Sequence, residues 1–296
     1  MNESQGSMTP VLVIMTEPPD FNWGISTLGC HELDLPSICE LAEKHGIHYL
    51  EIRSLADSLN LPVYLDETYP DDPNAIKRIL DQYGQKIIAL NSGFSLIESK
   101  GEAREELLGF ARWAESLNIP YIRVFGGGSM SELLSQSDLD VAVENLNWWQ
   151  GQRETHEWST QIALETHGGF SSSERCLRVQ EAFGSPVDVI WDTHHTWKLG
   201  KESAAQTWEL MGPMIKHIHV KDSVSVPSAR HPYSYILPGE GEFPIQEVFN
   251  ILVKANYSGV VSLEWERKWH PYLPELGTAL EVLKTAGWQK NSSTVS

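Results

Sequence analysis

The chain alternates short apolar runs with longer amphipathic stretches, and this alternation constrains its fold more than any other feature. Short runs rich in β-branched residues are typical of buried strands, and amphipathic stretches between them are typical of helices that cover a parallel sheet. We count eight such runs, at positions 23–26, 48–52, 86–90, 121–125, 162–165, 187–191, 215–220 and 260–264. Eight strand–helix units in about 270 residues match the usual length of a closed (β/α)₈ barrel.

Glycines mark the ends of several predicted helices. The helical patterns cover residues 35–45, 102–117, 174–183 and 275–286. Gly46, Gly184 and Gly287 directly follow three of them, and a glycine after the last helical residue is a common stop signal. A doubly wound nucleotide-binding sheet would need a glycine-rich phosphate turn after its first strand, which residues 26–29 do not provide.

These patterns predict an α/β protein built as one (β/α)₈ barrel, the TIM-barrel architecture. No linker, low-complexity segment or block of like charges divides the chain. We therefore predict a barrel domain over residues 21–290, an N-terminal extension over residues 1–20 and a C-terminal tail over residues 291–296.

Composition argues against nucleic acid and membranes as partners. The chain has 22 Lys and Arg against 40 Asp and Glu, a formal net charge of −18, and no run of basic residues, so it repels a phosphate backbone. The apolar stretch at 11–15 is too short for a membrane span or a signal peptide. Cys30, Cys39 and Cys176 are odd in number and lack metal-type spacing, as expected of isolated thiols in a reducing compartment, so we predict a cytoplasmic protein.

The last four predicted strands end in residues that can bind a metal, namely Glu165, Asp192, His219 and Glu264. The interval of 27 residues from Glu165 to Asp192 recurs from Asp192 to His219, which predicts equivalent heights on successive strands. Glu264 follows 45 residues later, after a longer loop. Because the carboxyl ends of barrel strands converge on one mouth, we expect the four side chains to meet there.

Carboxylates that crowd around one point repel one another unless a cation lies among them. Taken singly, a glutamate at a strand end is more often a salt-bridge partner, and a buried histidine is as often structural. The joint placement of all four residues favours a metal site. A mixed set of oxygen and nitrogen ligands suits Mn²⁺, Co²⁺, Zn²⁺ or Mg²⁺ and leaves positions for substrate oxygens. We predict one divalent metal ion, with Mn²⁺ favoured.

Five stretches carry a family resemblance. They are Leu-Glu-Ile-Arg at 50–53, Leu-Glu-Thr-His at 164–167, Asp-Thr-His-His at 192–195, His-Val-Lys-Asp at 219–222 with Pro-Gly-Glu-Gly-Glu at 238–242, and Gly-Val-Val-Ser-Leu-Glu at 259–264. In this order they resemble the xylose isomerase-like TIM barrel superfamily, specifically the sugar phosphate isomerase/epimerase group with the AP endonuclease 2-type fold. The resemblance implies a metal held by Glu165, Asp192, His219 and Glu264, and a His195 that points at the substrate.

The endonuclease IV-type relatives in this superfamily need additional histidines on strands two to four for a three-metal site. This chain has Glu51, Asn-Ser-Gly at 91–93 and three glycines at 126–128 in those places. A three-metal cluster is therefore not expected, and a nuclease becomes the weaker interpretation.

The expected chemistry is proton removal beside a carbonyl group. A metal chelated by the carbonyl and the adjacent hydroxyl stabilises the enediolate that results. We predict Glu165 and Glu264 as the catalytic acid/base pair on opposite sides of the substrate, with Asp192 and His219 mainly holding the metal. The predicted enzyme is a divalent-metal-dependent isomerase or epimerase of a small sugar or related hydroxy-carbonyl compound.

Further candidates for substrate binding lie near strand ends or in the loops that follow them: His195, His167, Arg230, Glu240, Trp23 and Trp265. The histidines would bind substrate hydroxyls or steady the metal ligands, with a purely structural role as the alternative. The tryptophan rings suit the apolar faces of a sugar, although most tryptophans are buried in cores.

A phosphorylated substrate would need basic groups near strands seven and eight. Lys221, Arg230, Arg267 and Lys268 are available, but acidic neighbours offset them, so an unphosphorylated sugar, polyol or keto acid is favoured. Three alternatives stay open: a dehydratase or lyase of the inosose or dehydroshikimate type, a nuclease, and a barrel that binds a sugar without catalysis. Barrels of this kind also form homo-oligomers, which the sequence leaves undecided.

Overall fold

Eight parallel strands close into a barrel in the computed structural model, which describes residues 21–70 and 72–289. The strands are β1 (Asn22–Ser26), β2 (Tyr49–Ile52), β3 (Lys86–Ser95), β4 (Tyr121–Phe125), β5 (Gln161–Glu165), β6 (Asp188–Asp192), β7 (Ile215–Val220), β8 (Asp222–Val224), β9 (Ser234–Ile236) and β10 (Val260–Leu263). All except β8 and β9 belong to the barrel, which confirms the (β/α)₈ prediction. The predicted extension over residues 1–20 and tail over residues 291–296 lie outside the described residues.

Ten α-helices are found among the described residues. They are α1 (Leu35–Lys44), α2 (Leu61–Thr68), α3 (Pro73–Gln82), α4 (Glu102–Ser116), α5 (Gln136–His156), α6 (Ser173–Phe183), α7 (Thr193–Lys198), α8 (Ala204–Met211), α9 (Ile245–Lys254) and α10 (Leu276–Thr285). The four predicted helical patterns correspond to α1, α4, α6 and α10. Gly46, Gly184 and Gly287 have φ angles of 67°, 72° and 71°, a backbone region that favours glycine, so each stops its helix as predicted.

The core lies between the barrel strands and the surrounding helices. One continuous cluster of buried apolar side chains joins Leu50 and Val261 of the strands to Ile38 of α1, Phe249 of α9 and Leu283 of α10. These three helices thus bury apolar faces against the sheet, and this burial stabilises the barrel at about 25 cal/mol per Å² of apolar surface.

The register of the strands corrects the prediction that Glu165 and Asp192 lie at equivalent heights. Asp192 does pair with His219 of β7, but Glu165 pairs with Ile190, two residues before Asp192. On the other side, His219 pairs with Ser262, two residues before Glu264. The strands of a closed barrel are tilted and staggered, so equal spacing in sequence does not give equal height.

The hairpin of β8 and β9 was not predicted. It lies in the long connection between β7 and β10, where the two short strands pair antiparallel. All three cysteines are buried thiols without disulfide bonds, as expected. Among the helices that the structure describes, none combines the length and the apolar character needed to cross a membrane.

Candidate metal centre

The four predicted metal ligands come together at the carboxyl ends of the barrel strands. Glu165, Asp192, His219 and Glu264 each offer one ligand atom, and these atoms all lie within 4.8 Å of one another. All four residues are buried, with at most 5% of their surface exposed. We call this set the mouth cluster.

Three atoms of the mouth cluster are buried without a hydrogen bond to any described residue: Glu165 Oε1, Asp192 Oδ2 and His219 Nδ1. His219 Nδ1 lies 3.4 Å from Glu165 Oε1 and 3.4 Å from Glu264 Oε2. Buried polar atoms nearly always have a partner, so three such atoms around one point form an arrangement that a bound cation would satisfy. Ligand atoms about 2.0–2.2 Å from an ion lie roughly 3 Å from one another, which agrees with the observed spacing. The residues present therefore fit a divalent metal.

A second polar group lies deeper in the barrel and fixes the orientation of His219. Glu51 Oε2 accepts hydrogen bonds from His219 Nε2 and from His217 Nε2, each at 2.7 Å, and Glu51 Oε1 accepts one from Asn91 Nδ2. We call Glu51, Asn91 and His217 the interior layer. Because a carboxylate can only accept, His219 carries a proton on Nε2 and turns Nδ1 towards the mouth cluster.

The interior layer is a poor metal site, although its side chains are of ligating types. The two histidine nitrogens lie at hydrogen-bond distance from Glu51 Oε2, which leaves no room for an ion between them. Burial alone would raise the pKa of Glu51, but His219 and His217 hold it below its usual value, so Glu51 is an ionised acceptor.

Two cations stabilise the carboxylates of the mouth cluster. Arg123 Nε lies 3.2 Å from Glu165 Oε2. Lys221 Nζ lies 2.6 Å from Asp192 Oδ2, in a direction that does not give a hydrogen bond, and it donates to Glu264 and, at 2.7 Å, to Glu266 Oε1. Both cations are buried.

These cations keep the two predicted catalytic carboxyl groups ionised. Burial alone would raise the pKa of Glu165, but the charge of Arg123 together with the neighbouring His219 brings the pKa below its usual value. Burial likewise acts on Glu264, yet Lys221 and His219 hold its pKa well below the usual range. Both groups can therefore accept a proton at neutral pH.

A cavity of about 340 Å³ opens beside the mouth cluster. Four of the predicted residues line it, namely Glu165, Glu264, His167 and Arg230. The sequence interpretation missed other lining residues, which include Arg53, Arg123, Phe125, Glu266, Trp269 and His270. Lys221, considered from the sequence only for a phosphate, does not line the cavity. Its position beside the metal ligands had one signal, because residues 217, 219 and 221 share one face of a strand by simple alternation.

The remaining predicted substrate-binding residues do not line this cavity. His195 is buried behind Asp192, with its Nδ1 3.0 Å from Asp192 Oδ2. Trp265 is buried and donates to Pro274 O, and Trp23 donates to Trp288 O. Glu240 is exposed on the glycine-rich turn between β9 and α9.

The four basic residues considered for a phosphate also differ in their surroundings. Arg267 is paired with Glu32 at 2.8 Å, and Lys268 with Asp57 at 3.1 Å. Lys221 is held by the carboxylates of the mouth cluster. Arg230 alone of these four lies in the cavity wall, where its guanidinium is 5.4 Å from the ring centre of Trp269.

Comparison with known proteins agrees with this architecture. The model of the family described as "Xylose isomerase-like TIM barrel" matches residues 39–286. An inosose dehydratase from Yersinia enterocolitica is 23% identical over 227 residues, which cover 67% of this chain and 76% of the relative. An inosose isomerase from Halalkalibacterium halodurans is 25% identical over 258 residues, which cover 83% and 86%. The crystal structure of the IOLI protein with a binding zinc atom superposes with a TM-score of 0.71 at 18% identity, covering 90% of this chain and 98% of that protein.

Proposed function

The chain belongs to the xylose isomerase-like TIM barrel family, and on this premise we propose that it is a divalent-metal-dependent isomerase or epimerase of a small hydroxy-carbonyl compound. One observation carries the proposal: buried ligand atoms of Glu165, Asp192 and His219 face a common point without hydrogen bonds to the described residues. The donor set suits Mn²⁺, our favoured ion, as well as Zn²⁺, Co²⁺ and Mg²⁺. The zinc atom bound to IOLI supports a divalent ion in this fold.

In the proposed reaction, Glu165 and Glu264 move the proton beside the substrate carbonyl. Both line the cavity and both are ionised, so either one can accept the proton while the other returns it. Arg123 and Lys221 hold the two carboxylates in place. A divalent ion, when bound, supplies charge stabilisation for the enediolate. Positioned acid/base groups of this kind contribute about 10²–10⁴-fold to a rate.

The fate of the proton decides the outcome. Return from the opposite face gives epimerisation, and return to the neighbouring carbon gives isomerisation. Loss of a neighbouring hydroxyl as water instead gives dehydration, our second candidate, which is favoured by the relative named inosose dehydratase. All three outcomes share the same first step. A nuclease is disfavoured because the net charge of −18 opposes binding of a phosphate backbone.

The test is metal-dependent exchange of substrate hydrogen with solvent. The protein is stripped with a chelator and reloaded with Mn²⁺, and deuterium uptake from D₂O is followed in a panel of ketoses, inososes and hydroxyketo acids. We expect uptake in at least one compound, only with metal, and about 10²–10⁴-fold slower in Glu165→Gln and Glu264→Gln. Mass spectrometry of the products separates dehydration from isomerisation, because only dehydration removes a water.

The matched control is Glu202→Gln, a buried glutamate outside the cavity that accepts hydrogen bonds from Ser173 and Thr207. It should lose stability but keep wild-type exchange. Wild-type exchange in both Glu165→Gln and Glu264→Gln would refute the acid/base assignment. Metal-dependent nicking of plasmid that carries abasic sites, without exchange in any small compound, would favour a nuclease.

A further inference from the structure

The cavity wall carries two guanidinium groups that have no acidic partner among the described residues. Arg53 directly follows β2, and Arg230 lies in the hairpin loop between β8 and β9. Within residues 21–70 and 72–289, neither side chain forms a salt bridge or a hydrogen bond. The other basic residues near the mouth are paired: Arg123 with Glu165, Lys221 with the mouth cluster, Arg267 with Glu32 and Lys268 with Asp57.

We propose that Arg53 and Arg230 bind a carboxylate of the substrate, so that the substrate is a small hydroxy-carbonyl acid rather than a neutral sugar. This inference rests on the proposed function, because it places the acid group in the same cavity as Glu165 and Glu264. It departs from the sequence interpretation, which left neutral sugars, polyols and keto acids equally open.

The balance of charge in the cavity supports an anionic substrate. Among the residues that line the cavity, Arg53, Arg123 and Arg230 provide three positive charges, and Glu165, Glu264 and Glu266 provide three negative ones. A divalent ion in the mouth cluster leaves an excess of positive charge, which an acid substrate offsets and a neutral sugar does not. Burial, together with the Arg123 charge, lowers the pKa of Arg53 to about 10, so Arg53 remains a cation at neutral pH.

The partial burial of Arg53 makes its lack of a partner informative. A guanidinium on an open surface is solvated and needs no counter-ion, but a half-buried one loses part of its hydration. Arg230 is exposed, so this loss of hydration concerns Arg53, and Arg230 is included because it lines the same cavity. Arg53 lines the same cavity as Glu165 and Glu264, so it faces the space beside the reacting groups. A substrate carboxylate would restore the lost interactions through two parallel hydrogen bonds, which the planar guanidinium suits.

Three glycine amides in the turns near the mouth are already bonded to carboxylates of the protein, which favours a substrate carboxylate over a phosphate. Phosphate sites in such barrels usually use backbone N–H groups. Here Gly128 N donates to Glu98 Oε1 at 2.8 Å, while Gly239 N and Gly241 N donate to Asp222 Oδ2 at 2.8 and 3.0 Å. These amides are already satisfied by carboxylates of the protein itself.

The test uses three inert ligands that share one carbon chain: D-gluconate, the neutral polyol sorbitol, and sorbitol 6-phosphate. None has a carbonyl group, so binding is measured without turnover, by calorimetry on Mn²⁺-loaded and on metal-free protein. We expect D-gluconate to bind at least tenfold more tightly than sorbitol. Arg53→Gln and Arg230→Gln should reduce the preference for D-gluconate at least several-fold. Arg53→Lys should retain part of the preference, because lysine keeps the positive charge but cannot form the two parallel hydrogen bonds of a guanidinium.

The matched control is Arg267→Gln, which removes a guanidinium paired with Glu32 and should leave the preference at the wild-type value. Thermal melts confirm that each variant is folded. Equal affinity for D-gluconate and sorbitol would overturn the inference. Tightest binding of sorbitol 6-phosphate would also overturn it. A preference for D-gluconate that is unchanged in both Arg53→Gln and Arg230→Gln would overturn it as well.

Deuterium exchange into D-fructuronate and D-fructose separates this inference from the proposed function. We expect at least tenfold higher kcat/KM for the acid, with the difference residing mainly in KM. Faster metal-dependent exchange of D-fructose would refute the acid substrate and leave the proposed function intact. If no compound of the panel exchanged deuterium, the proposed function would be refuted. If D-gluconate binding still depended on Arg53 in that case, the carboxylate-binding role of Arg53 would stand.

Discussion

The mouth cluster and the interior layer are two polar groups in the same barrel, and His219 belongs to both through its two nitrogens. In the interior layer, Glu51 uses both carboxylate oxygens, which accept from Asn91, His217 and His219. In the mouth cluster, Glu165 and Asp192 each keep one buried oxygen without a hydrogen bond to the described residues. The contrast holds for the carboxylates, because Asn91 Oδ1 and His217 Nδ1 of the interior layer are also buried without a hydrogen bond to the described residues.

The difference teaches where a cation can bind. A carboxylate whose lone pairs are taken by N–H donors is part of the scaffold, whereas converging carboxylates that keep buried oxygens without a hydrogen bond can bind a metal ion. The interior layer also serves the mouth cluster, because Glu51 holds the Nε2 proton of His219 and so directs Nδ1 outward. Substitutions in each group should separate these roles.

The largest expected difference is between His219→Ala and His217→Ala. His219→Ala removes the nitrogen ligand, so we expect loss of bound metal after dialysis and a fall of about 10³-fold or more in metal-dependent exchange. His217→Ala removes only a donor to Glu51 and should keep the metal while losing about 1–3 kcal/mol of stability. Elemental analysis and chemical denaturation measure the two effects. Equal loss of metal in both variants would show that the mouth cluster and the interior layer do not differ in their role in metal binding.

A smaller effect is expected for Glu51→Gln, which keeps the size of the side chain but removes one acceptor oxygen. The amide oxygen can still accept from both histidines, but the negative charge is lost, so the hydrogen bond that orients His219 becomes weaker. We expect the affinity for Mn²⁺ to fall about 10–100-fold, as is usual for groups that orient metal ligands. Competition with a chromophoric chelator measures it.

The control for Glu51→Gln is again Glu202→Gln, because both remove one charge from a buried, hydrogen-bonded glutamate. Both variants should be destabilised, but only Glu51→Gln should bind metal more weakly. If the two variants bound Mn²⁺ equally well, the link between the interior layer and the mouth cluster would be wrong.

Asp222→Asn tests whether a closed carboxylate close to the mouth is also structural. Asp222 accepts hydrogen bonds from the backbone N–H groups of Ser223, Gly239, Gly241 and Phe243. An amide nitrogen in place of one oxygen loses two of them, which should cost about 2 kcal/mol of stability at about 1 kcal/mol per bond. Metal content and exchange should stay near wild type. A drop in metal content would show that satisfied hydrogen bonds do not identify scaffold carboxylates.

The sequence was sufficient for the barrel and for the mouth cluster, because both depend on local patterns. Strand periodicity located Glu165, Asp192, His219 and Glu264 at strand ends, and barrel geometry brings strand ends together. The stagger between neighbouring strands was not predictable from spacing, since it is a property of the closed sheet. Which loops reach the cavity also depends on contacts between distant residues.

Arg53 and Glu240 show that the sequence motifs do not reveal which side chains reach the cavity. Arg53 lies in a motif that carried the family resemblance, yet only the structure shows that its side chain lines the cavity without an acidic partner among the described residues. Glu240 lies in an equally prominent motif, but the amides of its turn bind Asp222 and its own side chain is exposed. Sequence motifs gave the positions of these residues and not the directions of their side chains.

The smallest expected effects, on stability and on KM, come from substitutions of two tryptophans at different places in the barrel. Trp23 is buried against Phe249, with its Nε1 donating to Trp288 O at 3.1 Å, whereas Trp269 lines the cavity beside Arg230. Trp23→Phe keeps an aromatic ring in the core but loses the hydrogen bond, so it should cost about 1 kcal/mol of stability and leave KM and metal affinity unchanged. Trp269→Phe removes part of the surface on which Arg230 rests and should raise KM a few-fold at nearly unchanged stability. A change of KM in Trp23→Phe, measured on whichever compound of the panel exchanges fastest, would restore the sugar-binding role predicted from its position near a strand end and would mean that the cavity extends beyond its observed walls.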